Sequence, residues 1–289
     1  MTGFTGIWVP LVTPFRNGEI DFAALQKLAQ RLAGNGVSGL IVCGSTGEAA
    51  ALNEEEQLAA LDAVLDAVPS CPVVMGLAGN NLPGVLARLD KIAQRRVAGL
   101  LAPTPYYIRP SQAGLVDYFR VLADASAVPL ILYDIPYRTG VAIALETFRT
   151  LAQHDRIVAL KDCGGNQVNT MSLIADGALD VLAGEDAQLL STLCLGGSGG
   201  ILASAHVRPD LFARVARLVG EERLTEAREI FYRLLPLIRL LFEEPNPGPL
   251  KAALAMMDGM SDELRAPMQA ASAETREKLA RVLKQLECL

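Results

Sequence analysis

Histidine is nearly absent from this 289-residue sequence, which contains only His154 and His206. The two are far apart, and neither belongs to an H-x-x-x-H or C-x-x-C pattern of the kind that binds zinc. The five cysteines are odd in number and scattered, which is typical of unpaired thiols in a reducing compartment. The sequence therefore disfavours a metal-dependent mechanism and a disulfide framework, and it indicates a cytoplasmic protein.

Long apolar runs and an excess of positive charge are also lacking. No uninterrupted apolar segment reaches the roughly 18 residues that a membrane helix needs, and the N-terminus does not resemble a signal peptide. Lys and Arg number 26 against 32 Asp and Glu, so the net charge of -6 attracts neither phosphate backbones nor anionic lipid. We expect no nucleic-acid partner and no membrane partner.

The apolar residues that are present are arranged as short runs. Eight such runs begin near residues 6, 38, 72, 98, 129, 156, 179 and 199, and amphipathic helical segments separate them. The runs are continuously apolar, as parallel strands covered on both faces are. An open doubly wound sheet is the alternative, but no G-x-G-x-x-G turn follows the first run. Eight strand–helix units predict an α/β fold, a closed (β/α)8 TIM barrel.

The boundaries of the elements carry local signals of their own. Asn53 before three glutamates predicts a helix start, and Gly34 and Gly36 predict the end of the first helix. The glycine cluster LGGSGG precedes the eighth run and so belongs to the opposite end of the barrel from a catalytic site. After residue 222 the pattern is wholly helical, so we assign residues 1–222 to the barrel and 223–289 to an appended C-terminal helical region.

Catalytic groups of such a barrel stand where strands end. Lys161 ends the run IVAL, where apolar walls favour an uncharged, nucleophilic amine, although a lysine reaching to solvent is the ordinary alternative. Tyr133 ends the preceding run. A phenol beside a reactive amine can transfer protons, but an aromatic that merely fills the barrel would give the same pattern.

The second run ends in GSTGE, residues 44–48. Its glycines let the backbone approach a ligand, and the hydroxyls of Ser45 and Thr46 add donors for a small carboxylate or phosphate. An ordinary strand-to-helix turn has a similar composition. A metal-free Schiff-base aldolase that acts on a 2-oxo acid needs an amine nucleophile, a phenol that transfers protons and a site that binds the carboxylate. The sequence offers all three.

The segments GSTGE, TPYYIRPSQ, LYDIPYRTG, LKD and EPNPGPLK occur in the order and spacing of the dihydrodipicolinate synthase and N-acetylneuraminate lyase superfamily. The chain resembles that family over nearly its whole length. The resemblance implies that Lys161 forms an imine with pyruvate and that Tyr133 carries protons to and from it. It also implies a hydroxyl relay of Ser45 and Tyr107, a carboxylate site at Thr46, and a pocket lined by the backbone of Gly184 and Ile201.

Arg138, in YDIPYRTG, matches the arginine that receives the carboxylate of the aldehyde substrate in the synthase branch, a task suited to a guanidinium fork. The resemblance therefore implies condensation of pyruvate with L-aspartate 4-semialdehyde to 4-hydroxy-tetrahydrodipicolinate, a step of lysine biosynthesis through diaminopimelate. The synthase branch usually has other residues at three positions, which here are Ser45, Asp134 and Tyr137. They keep open another pyruvate-dependent aldolase or lyase, such as N-acetylneuraminate lyase or 4-hydroxy-2-oxoglutarate aldolase. A non-catalytic paralogue that binds a 2-oxo acid is the third alternative.

The resemblance has further implications for assembly and regulation. It implies no cofactor and no metal, and a homotetramer of two tight dimers in which Tyr107 reaches into the neighbouring site. Few of the positions that match the family's lysine-binding site carry suitable groups, so we expect weak or absent inhibition by lysine. These positions are Ala49, Glu54, Gln57, Asn80, Gly84 and Tyr106, of which only Asn80 and Tyr106 fit well.

Overall fold

The computed structural model describes residues 3–289. Its strands are β1 (Gly6–Pro10), β2 (Phe15–Arg16), β3 (Glu19–Ile20), β4 (Gly39–Val42), β5 (Val73–Gly76), β6 (Gly99–Pro103), β7 (Leu130–Asp134), β8 (Ile157–Asp162), β9 (Asp180–Ala183) and β10 (Gly199–Ile201). Eight of them close into a barrel in the order β1-β10-β9-β8-β7-β6-β5-β4. The predicted TIM barrel is confirmed, and each barrel strand begins within one residue of its predicted start.

The barrel strands owe their apolar sequences to burial on both faces. Every residue of β4, β5 and β7 is buried, and the described strand pairs of the barrel are parallel. A parallel strand between helices has no solvent-facing side that polar residues would occupy. This explains why the sequence shows continuous apolar runs instead of alternation.

Helices follow the strands. Their bounds are α1 (Phe22–Ala33), α2 (Glu54–Ala67), α3 (Leu82–Ile92), α4 (Gln112–Ala125), α5 (Pro136–Thr139), α6 (Leu145–Leu151), α7 (Gln167–Asp176), α8 (Leu189–Cys194), α9 (Pro209–Gly220), α10 (Leu224–Leu241), α11 (Gly248–Asp258) and α12 (Ala273–Gln285). The last three are the helices predicted after residue 222. In the described part of the chain, no helix combines the length and the apolar character that crossing a bilayer requires.

The predicted helix signals at α1 and α2 are confirmed. The Asn53 side chain accepts a hydrogen bond from the Glu56 amide at 2.9 Å, and the Glu56 carboxylate accepts one from the Asn53 amide at 2.9 Å. This reciprocal capping box satisfies two backbone donors that the first turn leaves without partners. Gly34 caps α1, and Gly36 follows with a φ of 83°, which a residue with a side chain rarely adopts.

The small β2–β3 hairpin was not predicted. It pairs Phe15 with Ile20 in antiparallel register, and the turn residues Asn17 and Gly18 have φ values of 55° and 84°. An Asn-Gly pair in a two-residue turn is a strong hairpin signal, because both residues tolerate positive φ. That dipeptide was the signal from which the hairpin could have been found.

Internal contacts divide the chain into two compact units. The first, called here the Lys161 unit, contains the described residues through Gly6 together with Pro72–Ile201. The second, the Thr46 unit, contains Ile7–Cys71 and Leu202–Leu289. The predicted division into residues 1–222 and 223–289 stays a prediction.

Candidate active site

Lys161 and Tyr133 lie side by side on neighbouring strands of the Lys161 unit. They occupy paired positions of β8 and β7, and the lysine Nζ is 4.3 Å from the centre of the phenol ring. Their side chains are almost entirely enclosed, with 5% of Lys161 and 6% of Tyr133 exposed. Because strand pairing fixes both backbones, the amine and the ring meet without a flexible loop between them.

Burial gives the Lys161 amine unusual proton chemistry. Desolvation lowers its pKa from the ordinary value, since the charged ammonium loses its hydration. The nearby Cys163, Asp186 and Glu185 side chains act in the opposite direction, whereas the positive charge of Arg138 also lowers the pKa. The net lowering increases the fraction of amine that is uncharged and nucleophilic at neutral pH.

Gly184 leaves room for the lysine side chain. A Cβ at this position would stand 3.0 Å from the Lys161 Cγ and 2.9 Å from the Asp162 carbonyl oxygen, and it would also collide with the Cys163 sulfur. Ile201 is the last residue of β10 and is buried. Gly184 thus directly follows β9 and Ile201 ends β10, and Gly184 admits no larger residue without displacing the Lys161 side chain.

Asp134 is a buried carboxyl group, which the sequence marked only as a departure from the usual synthase residues. Asp134 follows Tyr133 on β7, pairs with Asp162 on β8, and is only 4% exposed. Its Oδ1 accepts a hydrogen bond from the Ile143 amide at 3.1 Å. Desolvation, with help from the charge of Asp162, raises the pKa of Asp134 to about 7.

Arg138 lies on the short helix α5, directly beyond the end of β7. Its side chain is exposed, and its Cζ is 6.0 Å from the centre of the Tyr137 ring. The Tyr137 hydroxyl donates to Glu185 Oε1 at 3.1 Å, a contact that links the loops after β7 and β9. Burial of the hydroxyl raises the pKa of Tyr137, and the nearby Cys163 and Glu185 add to this effect. Sequence reasoning missed the pair, because its members are 48 residues apart.

Tyr107 lies in a loop of unusual conformation. Its φ is 72°, and 90% of the residue is exposed. Its backbone amide donates to the Thr139 carbonyl at 3.2 Å, which attaches the loop to α5. Tyr106 and Ile108 are also exposed. The loop thus presents three large apolar side chains in succession to solvent.

The Thr46 unit contains the GSTGE turn. Its backbone folds tightly, since the Gly47 amide donates to the Gly44 carbonyl at 3.1 Å and the Glu48 amide to the Ser45 carbonyl at 3.2 Å. Ser45 is half-buried, and only 4% of Thr46 is exposed. Glu48 has a φ of 53°, a left-handed conformation that the turn imposes. The turn therefore holds two hydroxyls and a buried carboxylate in one short segment.

Ionic contacts around the turn were also missed. Lys251 is fully buried in α11, and its Nζ lies 2.5 Å from Glu48 Oε1 and 2.8 Å from the Glu263 carbonyl oxygen, to which it donates. A lone lysine in the apolar segment GPLKAALA was the sequence signal, because a buried charge needs a partner. In residues 3–289, no three or more His, Cys, Asp or Glu side chains are grouped as they would be to hold a metal ion.

Comparisons with known proteins cover nearly the whole chain. The Dihydrodipicolinate synthetase family matches residues 3–286. The 4-hydroxy-tetrahydrodipicolinate synthase of Syntrophus aciditrophicus is 39% identical over 284 residues, which are 97% of either chain. The crystal structure of dihydrodipicolinate synthase from Thermotoga maritima covers 100% of both chains with a TM-score of 0.96 and 32% identity. The chloride-inhibited dihydrodipicolinate synthase of Acinetobacter baumannii, complexed with pyruvate, covers 99% of both with a TM-score of 0.95 and 29% identity.

Proposed function

The chain belongs to the dihydrodipicolinate synthetase family, and from that premise we propose that it condenses pyruvate with L-aspartate 4-semialdehyde to give 4-hydroxy-tetrahydrodipicolinate. It is an enzyme of the lyase class, and the reaction is a step of lysine biosynthesis through diaminopimelate. The observation that carries the proposal is the enclosed amine of Lys161, 4.3 Å from the Tyr133 ring centre. The relatives compared above are named for this synthase, so the sugar-acid lyase and oxoglutarate aldolase alternatives are not favoured.

The first step is attack of the uncharged Lys161 amine on the ketone carbon of pyruvate. A carbinolamine forms, its hydroxyl group leaves as water, and an imine remains. Loss of a proton from the methyl carbon then gives an enamine. Tyr133 is the group that would move these protons, because its phenol stands on the paired strand position beside the amine.

The enamine carbon next attacks the aldehyde carbon of the second substrate, and the aldehyde oxygen takes up a proton to become the product's hydroxyl group. The amino group of the same substrate then adds to the imine carbon and displaces Lys161, which closes the ring and frees the enzyme. Arg138 would hold the carboxylate of the aldehyde substrate, for which its exposed guanidinium on α5 is available.

The remaining site residues receive the roles that the family resemblance gives them. Thr46 would hold the pyruvate carboxylate, and its burial in a tight turn favours fixed donors over mobile ones. Ser45 and Tyr107 would relay protons from Tyr133 towards solvent. The backbone of Gly184 and Ile201 would line the pocket, since both residues stand at strand ends.

The chain is also proposed to assemble as a homotetramer, a dimer of dimers. Support comes from the loop that exposes Tyr106, Tyr107 and Ile108, because three adjacent large apolar side chains on a surface are typical of an interface. Analytical ultracentrifugation tests this, and a monomer at micromolar concentration contradicts it. We place the protein in the cytoplasm, since its five cysteines are odd in number and scattered, as is typical of a chain without a disulfide framework.

Weak or absent inhibition by lysine is proposed from two side chains that are already engaged. Gln57 donates to the Ala49 and Leu52 carbonyls at 3.0 and 3.2 Å. The Asn80 side chain exchanges two hydrogen bonds with the Tyr106 backbone, at 2.9 and 3.1 Å. Titration of the reaction with lysine tests the proposal, and strong inhibition at low millimolar concentration contradicts it.

Reductive trapping tests the imine. The protein is incubated with pyruvate and borohydride, and the adduct is located by peptide mass spectrometry. An adduct on Lys161 is expected, and Lys27→Arg, at an exposed site, serves as a variant that retains it. Folded protein that gives no adduct would favour a non-catalytic 2-oxo-acid-binding protein instead.

The second substrate is tested by turnover. Rates with pyruvate plus L-aspartate 4-semialdehyde are compared with pyruvate release from N-acetylneuraminate and from 4-hydroxy-2-oxoglutarate. A preference for the semialdehyde is expected. A higher kcat/KM for either of the other two compounds would replace the proposed reaction with a retro-aldol cleavage.

A further inference from the structure

Asn246 touches the residue that is proposed to hold the pyruvate carboxylate. Its Nδ2 donates a hydrogen bond to Thr46 Oγ1 at 3.0 Å, although the two residues are 200 positions apart. A threonine hydroxyl has one hydrogen to donate, and an oxygen that accepts an N–H keeps that hydrogen free for another acceptor. The Asn246 amide therefore favours the Thr46 hydroxyl as a hydrogen-bond donor to a third group.

The segment around Asn246 also anchors the rest of the turn. Lys251, five residues further along the chain, forms the buried ion pair with Glu48, and both side chains are essentially inaccessible to solvent. The Arg265 amide donates to the other carboxylate oxygen, Glu48 Oε2, at 3.1 Å. On the N-terminal side, the Thr13 hydroxyl donates to the Gly47 carbonyl at 2.7 Å. All these contacts lie within the Thr46 unit, so the turn has little freedom to move away from Asn246.

We propose that Asn246 is a positioning residue that makes the Thr46 hydroxyl a hydrogen-bond donor to the carboxylate of the 2-oxo acid. This rests on the proposed function, in which Thr46 binds that carboxylate. By occupying one of the two lone pairs of the Thr46 oxygen, the amide favours the arrangement in which the hydroxyl hydrogen faces an anion. A donor that is oriented before the substrate binds contributes more to affinity than one that must reorganise.

The chemistry of the residue type supports this assignment. Asparagine supplies a neutral donor. An aspartate of nearly the same shape would instead accept a hydrogen bond from the Thr46 hydroxyl, so the direction of the hydrogen bond would be reversed. Asn246 Oδ1 is buried and has no hydrogen-bond partner within residues 3–289, so Nδ2 makes the productive contact of this amide. A purely structural role would be satisfied by either orientation of the hydroxyl.

The test measures pyruvate affinity without the second substrate. Borohydride trapping at a series of pyruvate concentrations gives the half-saturating concentration for adduct formation on Lys161, read by intact-protein mass spectrometry. Asn246→Asp is expected to raise this concentration roughly ten- to a hundredfold, and Asn246→Ala roughly three- to tenfold. Asn35→Asp is the matched control, because it introduces the same charge at an exposed position of the same unit, and it should change the value by less than about twofold.

Three further measurements separate positioning from general damage. The KM for the aldehyde substrate should change by less than about twofold in Asn246→Asp while the KM for pyruvate rises, since only one carboxylate depends on Thr46. In a Thr46→Val background, the Asn246→Ala substitution should add less than about twofold. Lowering the pH should partly restore pyruvate affinity in Asn246→Asp, because a protonated carboxyl can again donate to Thr46.

The outcomes distinguish this inference from the proposed function. If the unchanged protein forms no adduct with pyruvate, the proposed function has failed. If the unchanged protein does form the adduct, two results would show that the positioning role is wrong. One is a half-saturating pyruvate concentration of Asn246→Asp within about twofold of that of the unchanged protein, and the other is a higher half-saturating concentration for Asn246→Ala than for Asn246→Asp. If Asn246→Asp does not fold, the double-mutant cycle of Asn246→Ala and Thr46→Val still tests the proposal. Additive effects of the two substitutions on the half-saturating pyruvate concentration would overturn it.

Discussion

Tyr133 and Lys161 are paired across β7 and β8, and the phenol ring lies 4.3 Å from the lysine Nζ. The ring face attracts an ammonium ion, whereas burial of both side chains disfavours that ion. Burial lowers the pKa of Lys161 from its ordinary value. The pair thus combines a nucleophile that is easily deprotonated with a phenol held beside it by strand register.

Tyr133→Phe separates the ring from its hydroxyl. The ring contact should remain, so the protein should fold, but proton transfer should lose its phenol and kcat should fall by about a hundred- to ten-thousandfold. Steady-state kinetics measure the loss, and borohydride trapping should still give a slowly formed pyruvate adduct on Lys161. Tyr232→Phe, at an exposed position of α10, is the control and should keep full activity. An unchanged kcat in Tyr133→Phe would assign the proton transfers to another group.

Lys161→Met should abolish the adduct and stabilise the fold. The pKa of the buried amine is lower in the folded protein than in the unfolded chain, so folding at neutral pH carries a penalty for the charged form. Removing that charge should increase the free energy of unfolding by about 1–2 kcal/mol at pH 7, measured by urea denaturation.

The sign of the pH dependence gives a second check on Lys161→Met. The unfolded lysine holds its proton up to about pH 10.5, whereas the folded one releases it earlier, so the unchanged protein gains stability as the pH rises through this window. The difference in unfolding free energy between Lys161→Met and the unchanged protein should therefore decrease as the pH approaches 10.5. Lys27→Met, at an exposed position, should leave stability within about 0.5 kcal/mol at every pH.

Asp134→Asn should change stability most at high pH. The pKa of Asp134 is raised to about 7 in the folded protein, so the folded state binds a proton that the unfolded chain has already lost. Stability of the unchanged protein should therefore fall between about pH 4 and about pH 7 and then stay level. Asparagine retains the oxygen that accepts from the Ile143 amide and carries no charge.

The expected gain for Asp134→Asn is close to zero near pH 4 and about 1–3 kcal/mol above pH 7, measured by urea denaturation across the range. Asp117→Asn, at a less buried position of α4, is the matched control and should show no such trend. A gain of equal size at pH 4 and pH 8 would mean that the carboxyl is not protonated by burial.

The sequence predicted those parts of the molecule that depend on local patterns. The eight strands could be found because full burial leaves each of them continuously apolar, and the start of α2 because Asn53 and Glu56 are three residues apart. The positions of Lys161 and Tyr133 at adjoining strand ends follow from the same pattern. The pairing register then fixes the contact between the two side chains, which the order of the strands only suggested.

Contacts between distant segments could not be predicted in this way. The bonds from Asn246 to Thr46 and from Lys251 to Glu48 join segments about 200 residues apart, and no periodicity connects them. The raised pKa of Asp134 was hidden for a related reason, since a carboxyl at a strand end is ordinarily solvated and only the packed fold buries it. Which polar groups are buried depends on the packing of distant segments. The sequence alone shows which polar groups are present but not which of them the fold buries.

Arg138→Ala tests recognition of the second substrate. The KM for the semialdehyde should rise roughly ten- to a hundredfold and the KM for pyruvate by less than about twofold, because one substrate carboxylate loses its guanidinium partner. Arg138→Lys keeps the charge but not the two-pronged geometry, so it should recover only part of the loss. Arg120→Ala, exposed on α4, should change neither constant. Equal effects on both substrates would remove Arg138 from the proposed role.

The Glu48–Lys251 pair should show strong coupling in a double-mutant cycle. Both side chains are buried, so Lys251→Met leaves an uncompensated carboxylate and Glu48→Gln an uncompensated ammonium, each costing about 3–5 kcal/mol of unfolding free energy. The double variant removes both charges and should lose about 1–3 kcal/mol less than the sum of the single losses. The exposed Glu146–Arg149 pair is the control, and its coupling should be much weaker because solvent screens the two charges. Urea denaturation of the four proteins in each cycle gives these values. Additive losses at Glu48 and Lys251 would show that the two charges are stabilised separately, Glu48 by the Arg265 amide and Lys251 by the Glu263 carbonyl.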